Sequence, residues 1–517
     1  MEAPPKAAAP SSALPGWKIY LGREWRGAAS GATTSLSDPS TGAPLGTVPR
    51  CNAEDAGAAI DAAREAFDKG PWPRMKPKER SAVLRKAADL LSEKGESFAL
   101  LETQNAGKPI RQSTFFDIAL ATEHLGFFAE LAGRRHQERI KQPDLEGSHG
   151  LVRREPLGVC AGITPFNLPL LMAVWKAGPA LAAGNTVILK PASLTPLTTL
   201  ELTRLLYEAG LPPGTLQVLT GPGGEIGEVL ASHPKVDKVS FTGSTEVGRE
   251  VLAKAAPTIK RTTMELGGKS ANILLPDADL DKATDGALFG IFLHCGQLCE
   301  SGSRLLVPAK DQDRIVGLLV EKARSIRLGL TQSFDTDLGP LVSDAQRRRV
   351  EGYIQSGVDQ GARLILGGNR PDSPELRNGF YLCPSIFGHV TPDMKIAQEE
   401  IFGPVLSVIP YDNVDRAVEI ANDTIFGLAG AVWSQNPRKA VRVAERLRAG
   451  TVWINDYHML SCHAPRGGFK QSGIGRELGE NALDEFTEMK HLYFDNLHVL
   501  APIARGLVLP PPEGEAR

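Results

Sequence analysis

The chain has 517 residues, 42% hydrophobic and 23% charged, a size expected to form two or three domains around large cores. Its 58 basic and 60 acidic side chains leave a net charge of −2, which excludes a general nucleic-acid or polybasic membrane binder. The cysteines at 51, 160, 295, 299, 383 and 462 form neither a disulfide framework nor a CxxC pair, so no metal site is expected and a reducing, cytoplasmic compartment is.

Residues 1–16 are rich in Ala and Pro and lack the apolar run of a signal peptide, so they read as an extended or disordered arm. Residues 53–69 carry Ala56, Ile60, Ala63 and Phe67 at the helical period. Segments 78–94, 96–106 and 112–132 read as further helices. From there strands and helices alternate: strands at 158–166, 186–191, 216–220 and 238–243, helices at 170–183, 198–209 and 225–232. Such alternation implies a mostly parallel sheet with helices on both faces. Between 156 and 189 the only charge is Lys176. Pro165, Asn167, Pro169 and Gly184 interrupt that stretch, so it reads as a buried segment rather than a membrane span.

A second alternating block begins near Gly267. Strands are expected at 271–275, 304–308, 362–368, 380–387, 405–411, 429–433 and 450–455, with helices from Leu280, Asp311 and Val414 and another after 433. The reading is thus α/β with two units that meet near 265–268, followed by a strand at 486–494. The tail beyond it carries Val499, Leu500, Ile503, Leu507, Val508 and Leu509. It would expose an apolar patch if free, so it is expected to dock on its own or a neighbouring subunit.

Five stretches carry chemistry. Cys299, in QLCESGSR, is either a small packed residue or a thiolate nucleophile on a loop. Glu265, in MELGGKS, either faces solvent at the end of an element or acts as a general base with room for a water beside it. Asn167, in TPFNLP, must satisfy its amide internally or aim it at a ligand oxygen. In FTGSTEVG a strand leads through Gly243 and Ser244 into a helix, whose free N–H groups suit an anion. The fifth, GPGGEIG at 221–227, has GxGxxxG spacing and is a weak dinucleotide signal alone.

Taken together with EEIFGP, NDTIFGLAG and GGFKQSGIGRELG, these motifs resemble the non-phosphorylating, NAD(P)-dependent aldehyde dehydrogenase superfamily. The resemblance runs from about residue 17 to about residue 496. It implies two doubly wound α/β domains and a small β oligomerisation element. The cofactor domain would comprise 17–134 and 155–266, the catalytic domain 267–477, and the oligomerisation element 135–154 and 478–496, with 497–517 as a tail. It implies Cys299 as nucleophile, Glu265 as general base and Asn167 as oxyanion donor. The cofactor, NAD or NADP, would meet Gly243 and Ser244 at its pyrophosphate, Lys190 at the adenosine ribose, and Glu400 and Phe402 at the nicotinamide end. Ile163, Thr164, Pro165, Phe166, Ser193, Gly223, Phe241, Val247 and Leu266 complete that contact set. Met172, Trp175, Leu293, Leu460 and Arg466 match the substrate tunnel. Partners implied are a small aldehyde and further copies of the chain, a tetramer before a dimer, with no nucleic acid and no membrane.

Three departures from the family pattern carry expectations. Ser193 stands where many NAD-preferring relatives have a glutamate; losing that carboxylate removes repulsion of a 2′-phosphate, so NADP should be tolerated. Cys295, in a position often occupied by Gln, is either a packed small residue or a partner that traps Cys299 as a disulfide. Arg466 replaces a frequent aromatic and either pairs with a carboxylate on the aldehyde or points to solvent or a neighbouring subunit. A relative that passes its thioester to coenzyme A is the rival enzyme, and Glu265 argues against it. A catalytically dead binding protein is the other rival, and the Cys299, Glu265 and Asn167 set argues against that.

Overall fold

The computed structural model describes residues 16–134, 137–141, 149–494 and 507–509. Two small antiparallel pairs open the chain, Ile19–Leu21 with Glu24–Arg26 and Thr33–Ser37 with Pro44–Pro49, neither of them expected from the sequence. The helix Ala53–Lys69 then starts at a capping box. Asn52 accepts from the Asp55 N–H while the Asp55 carboxylate accepts from the Asn52 N–H. Its apolar stripe, Ala56, Ala59, Ile60, Ala63 and Ala66, is buried.

The first large sheet has six strands in the order Gly473–Ile474, Arg261–Glu265, Lys238–Thr242, Val159–Ile163, Thr186–Lys190, Leu216–Val218. All neighbours are parallel except the first pair. Its central strands are buried throughout, as expected of a parallel sheet covered on both faces. The charge-poor stretch supplies the helix Pro169–Ala183, every residue of which is buried, closed by Gly184 in the left-handed region at φ 99°. Among the described residues, no helix is long and apolar enough to cross a membrane.

The second sheet has seven strands, Arg363–Leu366, Ser385–Gly388, Val405–Tyr411, Arg304–Pro308, Ala271–Leu274, Ala429–Trp433 and Thr451–Ile454, antiparallel only in the first pair. Each large sheet has its own hydrophobic core, one built around residues such as Ile188 and Val239, the other around Leu305 and Val408. A third, antiparallel sheet orders Thr487–Phe494, His149–Pro156 and Gln137–Lys141.

Several elements differ from expectation. The helix expected at 112–132 is broken into Ile110–Gln112, a π-helical stretch Ser113–Ile118, and Ala119–Gly133. The strand expected at 380–387 is confined to Ser385–Gly388, because Phe380 and Tyr381 pair elsewhere: the Phe380 N–H donates to Pro39 O at 3.0 Å, and the Tyr381 hydroxyl meets Ser40 Oγ at 2.6 Å. Gly473–Ile474, read from the sequence as part of the second unit, joins the first sheet beside the Glu265 strand. The arm at 1–15 and the tail beyond 494 lie outside the described residues, apart from 507–509, which are exposed.

Candidate active site

Ligand crevices in open α/β sheets lie beyond the carboxyl ends of the strands. One cavity here sits at that place and collects Pro165, Phe166, Asn167, Met172, Trp175, Gly243, Ser244, Glu265, Leu266, Cys299, Glu400, Phe402, Leu460 and Arg466. Most of the residues singled out from separate motifs thus face a common space. Leu293 does not line it and packs partly buried against the first core instead.

Cys299 is presented by a tight loop. The helix Leu280–Phe292 ends, and His294, Cys295 and Gly296 follow with φ of 48°, 56° and 70°. Two consecutive non-glycine residues in the left-handed region are costly and persist only where surroundings enforce them. The enforcement is visible. Gln297 is fully buried, and its side-chain oxygen accepts from the Val342 N–H at 3.0 Å. Its main-chain carbonyl accepts from Asn167 Nδ2 at 2.8 Å. Asn167 is thereby tied to the loop that carries the thiol. From the opposite side Gly268 lies against the Cys299 carbonyl so closely that no side chain fits there.

Glu265 ends its strand, 6% exposed, and its Oε1 has no hydrogen-bond partner. Burial first, and then the neighbouring Glu477 carboxylate, push its carboxyl up to about 8, while Arg466, Lys176 and Arg476 oppose the shift. Lys176 and Glu477 form a buried ion pair beneath it. Burial pushes the Cys299 thiol up to about 12, with Arg466 opposing and Glu300, Glu400 and Glu265 adding. Cys295 is a small packed residue, buried in the second core, and burial raises its thiol well above the ordinary value.

Arg466 is 6% exposed, so it does not face solvent; its guanidinium lines the cavity and is paired with Glu300 within the chain. The other Glu300 oxygen meets His458 Nδ1 at 2.8 Å, and His458 Nε2 lies 3.1 Å from Gly290 O. Burial alone would raise the Glu300 carboxyl; Arg466 and His458 hold it at about 2. Glu300 and His458 were missed from the sequence. The available signal was a lone charge immediately after Cys299, in a stretch otherwise free of charged residues.

At the other end of the cavity Gly243 follows the strand Lys238–Thr242, and a methyl there would meet the Phe241 ring at 2.5 Å. Ser244 caps the helix Thr245–Ala255, accepting from the Val247 N–H at 3.3 Å; Val247 is exposed. Lys190 is buried, donates to Pro191 O at 3.0 Å, and burial lowers its pKa to about 8. Its Nζ would lie 3.7 Å from a methyl at Gly223. The Ser193 hydroxyl donates to Gly221 O at 2.6 Å. Ile163 ends its strand, the Thr164 N–H donates to Lys190 O at 3.1 Å, and the Thr164 hydroxyl is buried without a partner. Ile163, Thr164, Lys190, Ser193, Gly223, Phe241 and Val247 support or flank the cavity without lining it. Glu400 accepts from the Gly268 N–H at 3.2 Å, and burial pushes its carboxyl up to about 7. Phe402 meets Phe166 edge to face at 5.5 Å. Gln346 and Arg349, absent from the sequence reading, also line the cavity; they hold the Phe402 and Glu400 carbonyls at 2.8 and 3.2 Å.

The sequence profile of the "Aldehyde dehydrogenase family" matches residues 25–492. A Bacillus subtilis betaine aldehyde dehydrogenase is 45% identical over 477 residues, 92% of this chain and 96% of the relative. The Staphylococcus aureus betaine aldehyde dehydrogenase solved with NAD+ superposes with a TM-score of 0.90 at 40% identity, covering 92% of this chain and 94% of that one. An NAD-dependent aldehyde dehydrogenase from Sinorhizobium meliloti is 41% identical, covers 93% and 95% of the two chains, and has a TM-score of 0.90. By cavity, fold and sequence, the chain belongs to the aldehyde dehydrogenase family.

Proposed function

We propose that the chain oxidises an aldehyde to its carboxylic acid with NAD or NADP, using Cys299 as nucleophile, Asn167 as oxyanion donor and Glu265 as base. The observation that carries this reading is the convergence of the three on one cavity, with a buried Glu265 oxygen that has no protein partner. The residues also fit a dinucleotide. A capped helix start behind a glycine offers N–H groups to phosphates, and Glu400 and Phe402 flank the Cys299 end. When bound, the dinucleotide supplies the hydride acceptor.

The thiol proton must leave before attack, because the thiolate is the nucleophile. Arg466 is the cation that favours the thiolate, and the thiol proton passes out to solvent, which leaves Glu265 free for the later step. The sulfur adds to the carbonyl carbon, and the oxyanion of the resulting thiohemiacetal falls to Asn167 Nδ2 and the Cys299 N–H. Removing one such donor typically costs about 3 kcal/mol of transition-state stabilisation. Loss of hydride leaves a thioester on Cys299. Glu265 then takes a proton from water, the hydroxide oxygen bonds to the acyl carbon, the carbon–sulfur bond breaks, and the acid departs. Splitting the oxidation into two covalent half-steps lowers each barrier. An acyl acceptor other than water, such as coenzyme A, would leave Glu265 without a task.

The domain limits stated from the sequence, a cytoplasmic location and a homotetramer belong to the same proposal. Supporting them are six free cysteines and the edge position of the strand Thr487–Phe494, which exposes Met489 by 68%. The test is reduced-nicotinamide formation from a panel of aldehydes with NAD and NADP in parallel, without coenzyme A. Turnover lost in Cys299→Ala is expected. No turnover in folded protein that binds the dinucleotide, restored by coenzyme A, would refute the hydrolytic reading.

A further inference from the structure

The inner wall of the cavity carries a permanent cation. Arg466 lines it beside Cys299, 6% exposed, and its Cζ lies 5.9 Å from the centroid of Trp175. Trp175 is fixed in turn, since its indole N–H donates to His124 Nδ1 at 2.8 Å. Aromatic faces are what proteins use to hold quaternary ammonium groups, at about 6 Å or less from the ring. Here the chain's own guanidinium already occupies that range over the only tryptophan lining the cavity. The charge opposing Arg466 is supplied by the chain itself: Glu300, which also lines the cavity, is paired with it and held by His458. The two other cavity carboxyls, Glu265 and Glu400, are both raised by burial and so spend more of their time neutral. Phe166, Met172, Leu298 and Leu460 make the remaining wall apolar.

We propose that the Arg466–Glu300–His458 cluster sets the substrate class of this cavity, turning away aldehydes that bear a quaternary ammonium and admitting neutral, apolar aldehydes of the same shape. This separates the chain from its relatives that are betaine aldehyde dehydrogenases, whose named substrate is a trimethylammonium aldehyde. Carboxylated aldehydes gain little either, because a substrate carboxylate would have to displace Glu300 from the guanidinium. Specificity here is a built repulsion together with a committed counter-ion.

The inference rests on the aldehyde oxidation proposed above, and the experiment separates the two. Betaine aldehyde is compared with its uncharged isostere 3,3-dimethylbutanal under identical conditions. The expected kcat/KM ratio favours the isostere by at least tenfold, short of the about 100-fold of an unpaired like-charge contact at several ångströms in an effective dielectric of about 20, because Glu300 offsets part of the guanidinium's charge. In Arg466→Met/Glu300→Gln, which removes both charges together, that ratio should fall at least tenfold. In Glu300→Gln, which frees the guanidinium, glutarate semialdehyde should gain relative to the isostere. Should the double variant fail to fold, inhibition of the wild type decides: 3,3-dimethylbutan-1-ol should inhibit more strongly than choline. Equal or better turnover of betaine aldehyde, or stronger inhibition by choline, overturns the inference and leaves the oxidation intact. No turnover of any aldehyde overturns the oxidation itself.

Discussion

Gly268→Ala offers a severe test of how the nucleophile is held. A methyl at this position would lie far inside 3.0 Å from the Cys299 carbonyl oxygen, closer than real Cβ atoms come to anything, and 3.2 Å from Leu428 Cβ. The obstacle is main chain, so no rotamer relieves it. Either the Cys299 loop or the 266–268 turn must yield by about 1 Å, and a displacement of that size in a reacting group costs on the order of 100-fold in rate. The turn also bears Glu265 on one side and the Glu400-bound Gly268 N–H on the other, so all three groups lose register together. Overpacking of this kind destabilises by about 1–3 kcal/mol, which a protein of this size survives. The assay is the pre-steady-state burst of reduced nicotinamide, alongside the alkylation rate of Cys299 and a thermal melt. The expected result is a folded variant with a burst rate reduced by about 100-fold. A burst within threefold of wild type, in protein with an unchanged melt, would refute the claim that the glycine positions the thiol.

Glu265→Gln should keep the burst and lose steady turnover by about 10²- to 10⁴-fold, since only hydrolysis needs the base; loss of the burst as well would contradict that division. With the Glu265 carboxyl pushed up to about 8, hydrolysis-limited kcat should rise through that pH. The same shift has a stability sign: a raised carboxyl favours the folded state below its pKa, and that contribution is lost as pH rises from the unfolded value of about 4.3 towards about 8. Melting temperatures of wild type and Glu265→Gln across that window should diverge, with wild type losing relative stability as pH rises. Glu477→Gln breaks the buried pair with Lys176 and should cost about 3–5 kcal/mol in denaturant unfolding, while the pH midpoint of kcat moves down because a like charge beside Glu265 has gone. Ser193→Glu should lower NADP use relative to NAD at least tenfold, measured as the ratio of kcat/KM values; an unchanged ratio would show that position 193 does not read the 2′ substituent.

The alternating sheets and the Cys299, Glu265 and Asn167 set were legible because each rests on a short local pattern: a buried apolar run before a turn, or a reactive side chain among glycines. What escaped is long-range. Phe380 and Tyr381 sit in an apolar run that reads as strand, yet the Phe380 N–H and the Tyr381 hydroxyl bond to residues 39–40, more than 300 positions away. Gly473–Ile474 is too short to announce itself and acquires meaning only from its register with Met264 and Glu265. Arg466 stands out as a departure, but the sequence alone does not pair it with a residue of this chain. The partner, Glu300, follows Cys299 directly, 166 positions before Arg466, and no local pattern links the two. A single sequence shows which charges are buried far less clearly than which apolar residues are.

The return of Gly473–Ile474 to the first sheet also orders events in time. Until that segment is made, the strand bearing Glu265 is an open edge, and about 200 residues separate the two. At about 5–20 residues per second of synthesis, the edge stays open for roughly 10–40 s. Through that interval a sheet otherwise able to assemble presents unpaired N–H and C=O groups on its functional side, where another nascent chain can pair with them. The second sheet is made almost entirely within the same interval. A chain that pauses just short of residue 473 should therefore carry both sheets, an unsealed Glu265 strand and a pronounced dependence on chaperones. Release of a few more residues would end that dependence.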